Sequence, residues 1–151
     1  MKKIPIRQLG SALQELSVSE QFKIRRVEEI VGDKNLVHDL HRHDFFFILV
    51  IEKGEGNHEI DFTPFQVADN SAFFLRPGQV HQLELNAGSK GFLVEFNSEF
   101  YHPKEKSSRL RLRKVSTKNY CKLEVNRFNK LQVLLNSMLE EFKAREEGFE
   151  Y

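Results

Sequence analysis

Short runs of alternating apolar and polar residues fill the first two thirds of the chain, and a helical period replaces them near the end. Runs that suit strands lie at 22–27, 43–52, 57–62, 65–68, 71–76, 80–85 and 91–97. Turn-forming stretches separate them: GDKN at 32–35, KGEG at 53–56, TP at 63–64, ADN at 68–70, PG at 77–78 and NAG at 86–88. Many short strands at this spacing predict an all-β sandwich or barrel. From 123 to 147 Phe128, Leu131, Leu135, Met138 and Phe142 recur at alternating steps of three and four, with Leu134 and Leu139 widening the stripe. That pattern predicts a C-terminal helix, with Glu141 placed to pair with Arg145 and Gly148 placed to end it. Residues 1–20 read as an arm with one short helix near 11–16, 21–100 as the barrel, and 101–122 as a basic connecting segment.

Phenylalanine sharpens this picture. There are 14 of them against 3 Tyr and no Trp, and several are adjacent, as in Phe45-Phe46-Phe47 and Phe73-Phe74. Neighbours in a strand point to opposite faces. Such strands therefore need cover on both sides, one from the barrel interior and one from a second sheet, an arm or a partner.

The sharpest chemistry lies between residues 41 and 81. His41 and His43 are two apart and share one face of a strand, and continued alternation adds Phe45, Phe47 and Leu49 to it. A Pro77-Gly78 turn then delivers His81, with Leu83 and Leu85 on its side. Two histidine-bearing segments converging on an aromatic interior describe a binding site in a barrel mouth. His41, His43, Phe45, Phe47, His81, Leu83 and, from the 91–97 strand, Glu95 are its expected lining. No cofactor is expected; the alternative is a divalent metal held by His41, His43 and His81, since neutral imidazole binds such ions.

Other motifs add little. Gly54-Glu55-Gly56 lacks a third glycine and a following helix, so it reads as a hairpin turn rather than a phosphate loop. No Gly-x-Ser-x-Gly elbow is present, and the lone Cys121 has no nearby histidine in sequence and excludes an intrachain disulfide. RLRLRK at 109–114 reads as a strand with a solvated basic face, because 23 basic and 22 acidic residues leave a net charge of +1. No apolar run approaches the ~20 residues of a membrane span, and no secretory leader opens the chain, so a reducing cytoplasm is expected. The helical stripe has two uses: Leu134 and Leu139 would cover the barrel, while Phe128, Leu131, Leu135, Met138 and Phe142 would meet a second subunit as a heptad seam.

From Phe22 to Phe100 the chain resembles the N-terminal, cupin-type sensor domain of AraC-family transcriptional regulators. The resemblance rests on FKIRR at 22–26, HRHDF at 41–45, the GEG turn, IDF at 60–62, the stretch from Phe73 to RPGQVH at 76–81, and GFLVEF at 91–96, in that order. It implies a mainly β fold, a double-stranded β-helix of jelly-roll kind, followed by a C-terminal α-helix at 123–151 that dimerises. In full-length relatives two helix-turn-helix units follow and grip DNA; the sequence ends at Tyr151 without them, so DNA contact is expected only through a domain outside it. The implied function is a non-enzymatic sensor that takes a small polar effector, such as a sugar or related metabolite, in the barrel and works as a homodimer. The rival is a metal-dependent cupin enzyme, an isomerase or dioxygenase acting on a small acid or sugar. Such enzymes pair His-x-His with a downstream Glu and a final His; here Phe47 and Ile48 stand where the Glu would be.

Overall fold

The computed structural model describes residues 4–7, 21–98, 114 and 117–146. In chain order the elements are β1 (Ile6–Arg7), β2 (Phe22–Arg26), α1 (Val27–Val31), β3 (Leu36–His43), β4 (Phe46–Lys53), β5 (Gly56–Ile60), β6 (Thr63–Val67), β7 (Ser71–Leu75), β8 (Val80–Leu85), β9 (Lys90–Phe96), β10 (Tyr120–Lys122) and α2 (Val125–Glu146). Two five-stranded sheets form, in the orders β1-β3-β8-β5-β6 and β10-β7-β4-β9-β2. Neighbours are antiparallel except β1 and β3. The two inner faces make one core: Ile60, Val67, Leu83 and Leu85 of the first sheet meet Phe47, Leu49, Phe73, Leu75 and Leu93 of the second. The result is the expected mainly β, jelly-roll-like barrel with a C-terminal helix.

Local chemistry explains several boundaries. Gly56 and Gly91 lie where strands cross closely: a Cβ on Gly56 would meet Glu84 O at 2.0 Å, and one on Gly91 would meet Val50 O at 1.9 Å. Thr63-Pro64 belongs to β6 rather than to a turn; the hairpin turns at Asp61 and Phe62, both with positive φ. Proline fits there because β6 is an edge strand, where a missing N–H breaks no ladder. Residues 27–31, between the first strand and the Gly32 turn, fold as the short α1.

The largest correction concerns β3. The His-x-His pair does not open the strand that carries Phe47. His41 and His43 end a strand of the first sheet, the chain bends at Asp44 and Phe45, and Phe47 and Leu49 follow in β4 of the second. All four still face the interior, because consecutive strands of a sandwich present their inner faces to one another.

The adjacent phenylalanines are covered on both faces as expected. Phe47 and Phe73 point inward, while Phe46 and Phe74 lie on the outer face of the second sheet, in the cluster that α2 covers. The helix buries Phe128, Leu135 and Leu139, with Leu131 and Phe142 packed beside them, against Phe22, Ile24, Val50, Phe92, Val94 and Phe96. Phe142 meets Phe22 edge-on at 6.0 Å, and Arg26 Nη2 donates to Asn136 Oδ1. This turns the helix relative to expectation. Phe128, Leu131, Leu135 and Phe142, assigned above to a second subunit, pack on their own sheet; Leu134, assigned to the barrel, is 62% exposed, and Met138 is 40% exposed. A three-four stripe specifies an apolar face but not which surface covers it, and this sheet offers ten apolar residues needing cover. The short arm helix, residues 109–113 of the basic ribbon and Gly148 lie outside the described residues.

Candidate functional site

A bulge makes the site. β3 pairs with β8 as His38 with Leu83 and then His41 with His81, so the first strand has one residue more than its partner across that interval. The extra residue keeps both His38 and the His41–His43 pair on the inner side. Across β8, His81 stands opposite Ile60 of β5, which brings in His58 two residues earlier. The segment before β8 is fastened at both ends. Gly78 N donates to His43 O at 2.8 Å, while Asp61 accepts from Val80 N at 3.0 Å and from Gln79 Nε2 at 2.8 Å.

Four imidazoles therefore converge and are buried, with His58 and His81 fully enclosed. The Nε2 atoms of His41, His43 and His81 form a triangle with sides of 3.1, 2.7 and 3.1 Å. His58 Nε2 lies 2.8 Å from His81 Nδ1. Phe47 stacks on His43 at 5.2 Å and 14°, Phe45 sits 4.3 Å from the same ring, and Phe73 lies 4.6 Å from His58. Burial holds His58 down to about 3, helped by His41 and His38. Burial first, and then the charges that His58, His43, His41 and His38 would carry, push His81 far below its ordinary 6.5. His58 and His81 are therefore neutral at physiological pH.

Three neutral rings in this triangle would be in conflict. His41 Nδ1 faces the carbonyl of Asp39, which only accepts, so the ring hydrogen sits on Nδ1 and Nε2 presents a lone pair. With one hydrogen on the remaining two Nε2 atoms, one contact of the triangle sets lone pair against lone pair. With two hydrogens, His43 and His81 oppose N–H to N–H. Every neutral placement leaves at least one unfavourable side. A cation at the centre removes the conflict, since all three lone pairs then point at positive charge. Ligands about 2.0–2.1 Å from an ion and at right angles lie roughly 2.9 Å apart, close to the observed sides. The three imidazoles therefore fit a divalent metal, and they are the group of potential ligands that converges among the described residues.

Of the expected lining, His41, His43, His81, Phe45 and Phe47 come together, and Leu83 stands on the same inner face. Glu95 is buried but does not join the imidazoles: its Oε1 accepts from Arg25 Nη2 at 3.0 Å. That corrects its placement with the histidines; a basic residue on the neighbouring strand β2 claims the carboxylate. Sequence reasoning missed His58 and Arg25. His58 was readable, because it precedes the inward Ile60 by two in a strand that was itself recognised. Arg25 carried no such signal, since a charged residue in a first strand ordinarily faces water.

Comparison with known proteins places this geometry. Structures of similar shape include a conserved protein of unknown function from Streptococcus pyogenes, 17% identical over 64% of this chain and 96% of that one, with a TM-score of 0.40. A cupin protein from Bacteroides fragilis is 16% identical over 63% and 92%, with a TM-score of 0.37. Oxalate decarboxylase from Bacillus subtilis is 13% identical over 68% of this chain and 37% of that one, with a TM-score of 0.35. No curated protein sequence matches. The profile of the AraC-like ligand binding domain matches residues 29–114, more than half of the sequence and the whole span from β3 through β9. The chain belongs to the AraC-like ligand-binding domain family, with the barrel and its imidazole cluster inside the matched region.

Proposed function

We propose that this chain is the sensing domain of a transcriptional regulator, and that a small polar effector is held on the imidazole side of the barrel. The convergence of three Nε2 atoms on one point carries the reading, because buried polar groups directed at each other are costly unless something uses them. Phe45 and Phe47 would give the effector an apolar wall, and His43 and His81 would orient its polar groups. Regulation rather than catalysis is supported by the family and by Glu95, whose carboxylate is engaged by Arg25 instead of standing beside the histidines. In this reading DNA is contacted by a separate domain, and a homodimer forms through surfaces that include the exposed Leu134 and Met138. A thermal-shift screen of monosaccharides and small hydroxy acids tests it. A true effector raises the unfolding midpoint by binding the folded form, and His81→Ala or Phe45→Ala abolishes the rise. A rise untouched by both substitutions would contradict the placement.

A second reading is favoured by the conflict inside the triangle: the imidazoles hold a divalent cation, and the effector binds beside it. Such an ion would supply a Lewis-acidic centre for a carbonyl or hydroxyl oxygen of the ligand. His41, His43 and His81 would be its ligands, and the Asp39 carbonyl would keep His41 in the binding tautomer. Equilibrium dialysis against zinc or manganese should give one ion per chain, lost in the His41→Ala, His81→Ala double variant. Absence of stoichiometric binding at neutral pH would remove this reading and leave the first intact.

A further inference from the structure

Behind Phe47, away from the imidazoles, the barrel interior is not filled. A cavity of about 160 Å³ lies under α1, walled by Val27, Val31, Leu49, Leu85 and Leu93. Two polar side chains share its lining, His38 and Arg25. A dry cavity of about 150 Å³ accepts a molecule the size of benzene, so this space suits a guest of six to seven non-hydrogen atoms, as an estimate from that volume. Ordinary packing voids are apolar throughout. This one has at its edge the guanidinium of Arg25, a side chain 38% exposed whose Nε is buried with no hydrogen-bond partner among the described residues.

We infer that this cavity is a second seat, separate from the imidazole side, for a small, uncharged, branched or cyclic aliphatic molecule bearing one carbonyl or hydroxyl oxygen. The inference goes beyond the polar effector proposed for the imidazoles and stands without it. The apolar body fills the aliphatic walls, and the oxygen accepts from Arg25. An anion is disfavoured because Glu95, 3.0 Å from Arg25 Nη2, already supplies the counter-charge. An ammonium meets the guanidinium with like charge and offers it no acceptor. The half-exposed Arg25 also marks the side from which solvent reaches the space. Occupancy is felt at α1, whose Val27 and Val31 form part of the wall, and α1 touches the outer helix: Glu29 lies 3.7 Å from Lys143. A bound guest can thereby favour one seating of α2.

An isosteric series tests this: isovaleramide, isovalerate and isoamylamine, each titrated calorimetrically and by thermal shift against the whole chain. Isovaleramide should bind saturably, isovalerate at least about tenfold more weakly, and isoamylamine not at all. Val31→Phe, or Leu36→Phe at the rim if the first fails to fold by circular dichroism, should fill the space and abolish binding. Arg25→Met combined with Glu95→Gln, which avoids stranding the carboxylate, should weaken the amide roughly five- to tenfold. No saturable binding by any of the three, or equal binding by amide and amine, overturns the proposal. Binding that survives in a folded filling variant overturns it too, while leaving sensing at the imidazoles standing.

Discussion

The two halves of the barrel interior are built on opposite principles. At one end four imidazoles and the rings of Phe45, Phe47 and Phe73 fill the space, with polar atoms in contact. At the other, aliphatic side chains surround a void. Phe47 divides them, touching His43 and His81 on one side and lining the cavity on the other. The contrast separates two ways of keeping a core incomplete. The aliphatic end gives up packing contacts; the imidazole end keeps its packing and accepts desolvated, mutually frustrated nitrogens. Both lower stability relative to a fully apolar, filled core, and both leave something for a guest to restore.

Removing the divider should have the largest effect. Phe47→Ala merges the two ends and should cost about 3–5 kcal/mol by urea denaturation; a cost under about 1 kcal/mol would mean that the ends are not packed through this ring. Acid comes next and acts on one end only. His58 and His81 are held neutral in the fold but titrate near 6.5 when unfolded, so the unfolded chain binds more protons below that pH. Stability is complete above pH 6.5 and falls as the pH drops through the window from 6.5 towards 3. The two rings together should remove up to roughly 4 kcal/mol between pH 7.5 and 5. A flat stability profile over that range would contradict the buried cluster. His58→Leu should cost about 1–3 kcal/mol at neutral pH, since His81 Nδ1 loses its partner, and should make the acid profile shallower. Smallest is Leu134→Ala, within about 0.5 kcal/mol as expected for an exposed position. The neighbouring Leu135→Ala should cost about 2–5 kcal/mol, and a reversal of the two would mean that the helix is turned as the stripe alone suggested.

Strand periodicity made most of this architecture legible, and the reasons for its failures are specific. β3 was lost because its bulge interrupts the alternation between His38 and His41, so a period of two could not be followed back from the His-x-His. The inward direction of His41, His43, Phe47 and Leu49 was nevertheless read correctly, since a strand continuing through Phe45 and a bend into the opposite sheet place the same residues inside. Helix orientation failed for another reason. The stripe from Phe128 to Phe142 is real, but only the apolar outer face of the second sheet decides what covers it, and that face is assembled from four strands distant in sequence. The cavity left no trace in the chain, because a void is a property of side chains that fail to meet.

The most direct test of the central claim is long-range nitrogen–proton correlation of the histidine rings by NMR, followed from pH 7.5 to 5. Four enclosed, converging imidazoles predict His41 as the Nδ1–H tautomer, its Nε2 unprotonated, with His58 and His81 still neutral at pH 5. Rings that take up protons independently near 6.5, with His41 carrying its hydrogen on Nε2, would contradict it.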